Sequence, residues 1–113
     1  MKNVKTIQLG HWALNIVVAD HFFSRLRGLL FQSVLKRQQG LLITPCKSVH
    51  TIGMGYAIDV VFLSADYRVL KVHAQCLSWR FKVCKPARHT LELLGGEARR
   101  LGITEGLQLP AII

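Results

Sequence analysis

The sequence predicts a mainly β (α+β) fold, a small antiparallel β-barrel or sandwich with one longer helix after the first strand and one short helix near the C-terminus. Three observations carry this. Short runs rich in Val, Ile and Leu recur at spacings too close for βαβ crossovers. Glycines at 40, 53, 55, 95, 96 and 102 punctuate them as turn or bulge positions. Only the segments after Asp20 and after Gly96 carry a helical pattern. At 113 residues, half of them hydrophobic, the chain supports one core and reads as one domain, 1–113.

Trp12 to Val18 is the first expected strand, with polar residues before it. Asp20 then offers an N-cap, and Phe22, Leu26, Leu29 and Leu30 fall at i, i+4, i+7 and i+8, one face of an amphipathic helix fading near Ser33. KRQQG, from Lys36 to Gly40, is a polar turn before a short buried strand, Leu41 to Ile43. Another extended piece begins at Val49, and Gly53 and Gly55 suit a bend. Ile58 to Leu63 is the central strand, ADYR its turn, and Val69 to Ala74 its hairpin partner. Gln75 to Ala87 reads as a basic loop. Thr90 to Leu94 is a strand, Glu97 to Leu101 the short helix with Gly102 as C-cap, and Gly106 to Leu109 a closing strand.

The formal charge is +9, from 15 Lys and Arg against 6 Asp and Glu. Before residue 57 the only acid is Asp20, against seven basic residues, so an anionic partner is plausible. Nucleic acid is the sharper version and a merely soluble surface the plainer one, because most aromatics sit in apolar patterns and no exposed Phe or Tyr alternates with Arg. Three cysteines without a CxxC pair argue against a disulfide framework and for a reducing compartment. With no secretory signal or membrane span visible, the expectation is a cytoplasmic protein without membrane attachment. No cofactor motif is present.

Four pieces in order, SRLRGLLF (Ser24 to Phe31), GLLITPCKSVHTIGM (Gly40 to Met54), IDVVFLSADYRVLKV (Ile58 to Val72) and LELLGGEARRLGITEGLQL (Leu91 to Leu109), carry a family likeness. The chain resembles the domain of unknown function 192 family, also called uncharacterised protein family 0127. That resemblance implies a compact β-rich domain with no established activity. The pattern departs at Gly55 and Ala57, where members of this branch tend to have Arg and Pro, at Leu107, where they have an acid, and at Leu94, where they have Pro.

Cys46, His50 and Asp59 are the residue types of a nucleophile, a base and an orienter, which makes a thiol-dependent hydrolase the enzymatic alternative. Cys46 and His50 with Cys84 and His89 form CxxxH and CxxxxH spacings, neither a strong zinc signature, and no metal site is assigned. A binding face lined by His50, Thr51, Asp59, Trp79, Arg80 and Glu92, at the mouth of a small barrel, is the preferred reading, with an unidentified small ligand or protein as partner. On the plain alternative Cys46 is a small buried hydrophobe after Pro45, His50 a hydrogen-bonded strand residue, Asp59 a cap for the glycine turn and Glu92 an outward strand residue.

Overall fold

The run Ile58–Leu63 forms a strand in which all six residues are buried, and the rest of the fold is arranged about its two faces. The computed structural model describes residues 3–19, 35–50, 56–77 and 81–113. In chain order the elements are β1 (Asn3–Leu9), β2 (Trp12–Ala19), β3 (Gln39–Ile43), β4 (Ser48–His50), β5 (Ile58–Leu63), β6 (Val69–Cys76), β7 (Phe81–Val83), β8 (His89–Leu94) and α1 (Glu97–Arg100). Six strands make one sheet in the order β1-β2-β3-β8-β5-β6, and β4 pairs with β7 in a second, two-stranded sheet. The fold is sheet-dominated, as expected. The large sheet does not close, however: β1 and β6 are its two edges, so there is no barrel and no barrel mouth among the described residues.

Alternation along β5 sorts the core into two layers. Val61 and Leu63, with Leu42, Leu91 and Leu93, face Ala98, Leu101, Ile103, Leu109 and Ile112 from α1 and the segment after it. Ile58, Val60 and Phe62, with Leu41 and Ile43, face the other way, where Val49 of β4, Cys76 and Ala87 pack. Burying side chains of this size stabilises by about 1.5–3 kcal/mol each, which is why the apolar run at β5 fixes the architecture.

Several expectations need correction. β2 and β3 pair in parallel, Asn15 with Gln39 through Ala19 with Ile43, because the connection between them is long enough for a crossover. β1 precedes the first expected strand. Ile7 is its one fully buried side chain among the residues described, so an edge strand of Lys5, Thr6 and Gln8 shows little apolar signal. The basic stretch Gln75 to Ala87 is not all loop: β6 runs on to Cys76 and β7 lies within it. The closing strand reduces to one bridge, Arg68 with Gln108. The longer helix expected after Asp20 and the bend at Gly53 and Gly55 lie outside the described residues.

α1 is too short to stand by itself, and its N-cap, Gly96 at φ +94°, has no side chain to cap it. Asp59 does that work from β5. Its carboxylate accepts N–H groups from Gly96 (3.1 Å), Ala98 (2.8 Å) and Gln75 (2.8 Å), so one buried side chain ties β6, β5 and α1 together. Gly95 permits the approach: its N–H donates to the Ala57 carbonyl at 3.0 Å, and a Cβ at this position would stand 2.9 Å from that same oxygen.

Candidate functional site

Two stretches of the sequence contain no acid at all, residues 21–58 and 67–91, and together they hold eleven of the fifteen Lys and Arg. β4 comes from the first and β7 from the second, paired antiparallel as Ser48–Val83, Val49–Lys82 and His50–Phe81. Opposed residues share a face. Val49 is buried against the main sheet and half-buried Lys82 shares its side, which turns Ser48, Phe81 and Val83 outward. Phe81 is 65% exposed and Val83 47%, and Leu77, four residues before Phe81, is 58% exposed.

A groove of about 420 Å³ lies at one end of this small sheet, lined by Pro45, Cys46, Lys47, Ser48, Ala87 and Arg88. Backbone bonds hold it open: the Cys46 N–H donates to the Arg88 carbonyl at 2.9 Å and the Cys84 N–H to the Lys47 carbonyl at 2.8 Å, while Thr90 Oγ1 donates to the Cys46 carbonyl at 3.1 Å. Lys47 and Arg88 are exposed, as is Lys85. A second groove, about 390 Å³, runs along Val72 to Leu77 beside Lys82. Burial, and then the charges of Lys82 and Lys71, hold the His73 imidazole below its ordinary pKa of 6.5. Among the described acids, Asp59, Glu92 and Glu97 are buried elsewhere, and Asp66 accepts a hydrogen bond from Ser64 in the β5–β6 turn. Exposed Glu105 accepts the Val72 N–H at 3.3 Å and partly offsets the cations beside the second groove; no described acid borders the Lys47–Arg88 groove.

The residues singled out in the sequence divide accordingly. His50 lies in β4 directly across from Phe81. Thr51, Trp79 and Arg80 lie outside the described residues; in sequence Thr51 follows β4 and Arg80 precedes β7. Asp59 and Glu92 do not join them. Both have no solvent exposure, and they sit on opposite faces of the large sheet, Asp59 opposite Leu93 and Glu92 opposite Val60, so Glu92 is not an outward strand residue. Asp59 is occupied by three backbone N–H groups and orients nothing at Cys46. Cys46 is half-buried and its Sγ donates to the Ser48 carbonyl at 3.1 Å, a bond only the protonated thiol can donate. His89 is buried, its Nδ1 2.7 Å from Thr44 Oγ1 and its ring stacked 4.7 Å from Tyr67, so it is engaged away from Cys84. No group of three or more His, Cys, Asp and Glu gathers among the described residues.

Sequence reasoning missed Phe81, whose neighbours Arg80 and Lys82 make it an exposed aromatic between two cations. The available signal was the acid-free stretch 67–91.

The family model DUF192, described as an uncharacterized ACR, matches residues 4–111. The chain belongs to the DUF192 family. Among curated proteins, the UPF0127 protein of Pyrococcus furiosus is 31% identical to it over 102 residues, 85% of each chain. Two solved structures share the DUF192 fold seen here. A protein of unknown function from Novosphingobium aromaticivorans superposes with a TM-score of 0.77 at 22% identity, over 97% of this chain and 85% of its own. A candidate transcription regulator from Sinorhizobium meliloti gives 0.76 at 19% identity, over 96% and 92%. At these identities the likeness carries the fold and no activity, and the DUF192 family is itself one of unknown function.

Proposed function

We propose that this DUF192 protein is a cytoplasmic, single-domain accessory or binding protein, not an enzyme, and that its working surface is the β4–β7 sheet with the grooves beside it. His50 lies in β4 of this sheet, while Asp59 and Glu92 belong to the scaffold beneath. One observation carries the reading: the groove at Pro45–Ser48 and Ala87–Arg88 is bordered by the exposed cations Lys47 and Arg88, neither in an ion pair with a described residue. Such a groove selects an anion. The partner is taken from solution, and no helix among the described residues is long and apolar enough to cross a membrane.

Titration of ¹⁵N-labelled protein with inorganic polyphosphate tests this. Shifts should localise to Lys47, Ser48, Ala87 and Arg88 and vanish in the Lys47→Gln/Arg88→Gln variant with the fold intact. Dispersed shifts, or identical binding by the double variant, would sink the groove as the binding site. The thiol-hydrolase alternative predicts a Cys46 alkylated well below pH ~8.5. Slow alkylation of Cys46 at that pH, read by peptide mass spectrometry, would sink that alternative.

A further inference from the structure

The two-stranded sheet combines two features that a simple anion site does not need. It has an exposed aromatic ring, Phe81, and cations from both acid-free stretches border the grooves at its end and edge. Phe81 and Val83 form an outward apolar ridge, with Ser48 across from Val83 at the end nearer the Lys47–Arg88 groove. Lys82, between them in sequence, borders the other groove, together with His73 and Leu77. Lys85 is exposed in the turn that leads from β7 to Arg88.

We propose that this ridge and its two grooves bind a single-stranded polynucleotide, a base stacking on Phe81 while phosphates are held by Lys47, Lys82, Lys85 and Arg88. The proposal rests on the anion-binding reading above and names its partner. Every base has a π-face, so stacking on one exposed ring tolerates any sequence, and a repeating phosphate backbone matches cations set on both sides of a ridge. A duplex keeps its bases stacked on one another and out of reach of a ridge three residues long. An acidic peptide satisfies the cations equally but generally brings no π-face to Phe81, and that difference decides for the polynucleotide.

Fluorescence anisotropy of a labelled oligothymidylate with the full chain is the test, with inorganic polyphosphate, polyglutamate and anionic lipid vesicles as competitors. Binding should weaken with salt, and Lys47→Gln and Lys85→Gln should each lower the log–log salt slope by about 0.7. Phe81→Ala should weaken the oligonucleotide roughly tenfold while leaving the affinity for polyphosphate unchanged. Its side chain is exposed, so the fold should be retained, as a circular dichroism melt would verify. Oligonucleotide binding unaffected by Phe81→Ala would overturn the polynucleotide assignment and leave the general anion site standing. Polyglutamate or vesicles competing better than oligothymidylate would likewise reassign the occupant. Failure of both oligonucleotide and polyphosphate to bind at low salt would remove this proposal and the anion reading together.

Discussion

Asp59 accepts three backbone N–H groups from a position without solvent contact, so Asp59→Ala strands three donors inside the protein. The expected loss is about 3–5 kcal/mol in urea unfolding, with a smaller loss for Asp59→Asn, which keeps one acceptor. Gly95→Ala acts on the same joint. The new Cβ would lie 2.5 Å from the Gln75 Oε1 and 2.9 Å from the Ala57 carbonyl oxygen. Gln75 can move and the carbonyl cannot, so about 1–3 kcal/mol should be lost and a Gln75→Ala background should relieve only part of it. His89 predicts a pH effect. Burial holds its pKa below the ordinary 6.5, so the unfolded chain binds more protons as acidity rises. Its contribution to stability is full above about pH 6.5 and is lost as the pH falls below that. Urea midpoints between pH 7 and 5 should fall less steeply in His89→Gln; an unchanged slope would assign the effect to other groups, His73 first, which shifts in the same direction.

α1 persists because it is latched at both ends. Glu97 accepts the Gln38 N–H at 2.7 Å and is gripped by Arg100 at 2.5 and 2.7 Å, and Arg100 lies 4.4 Å over the Trp12 ring. The Arg100 hydrogen bonds are the main reason that Glu97 titrates below its ordinary 4.5, so the stability it adds is present above about pH 4.5 and lost as the pH falls below it. Glu97→Gln should lower the thermal midpoint at pH 7 and narrow the difference from wild type as the pH falls below 4.5. Elements whose signal is local were legible: the β5–β6 hairpin from an apolar run, its turn and a β-branched return, and α1 from the double glycine before Glu97. Elements that depend on a distant partner were not. The parallel β2–β3 pairing is decided across an intervening stretch that periodicity cannot register, and β7 is a three-residue strand that exists because β4 lies beside it.

At the scale of the molecule, three of the five described acids, Asp59, Glu92 and Glu97, are spent inside, holding elements together or lying between them. Exposed Asp66 and Glu105 lie away from the Lys47–Arg88 groove, while Lys47, Lys85 and Arg88 stand outside around the small sheet. The sequence shows the excess of cations but not this division, since burial of an acid depends on register. That is why Asp59 and Glu92 were grouped with His50, although one residue of parity along the strand sends each to a different layer. The pairing of β4 with β7 sets His50 across from Phe81, a neighbour that their distance in the sequence does not reveal. The ladder between those strands is three pairs long, against six between β5 and β8. Such a ladder opens by itself: in native-state hydrogen exchange the β4–β7 amides should be replaced at rates set by local fluctuation, and those of β5 and β8 only with global unfolding. A polyanion seated across the ridge should then slow exchange at β4 and β7 while leaving the large sheet untouched, so the weakest part of the fold becomes the part whose order reports occupancy.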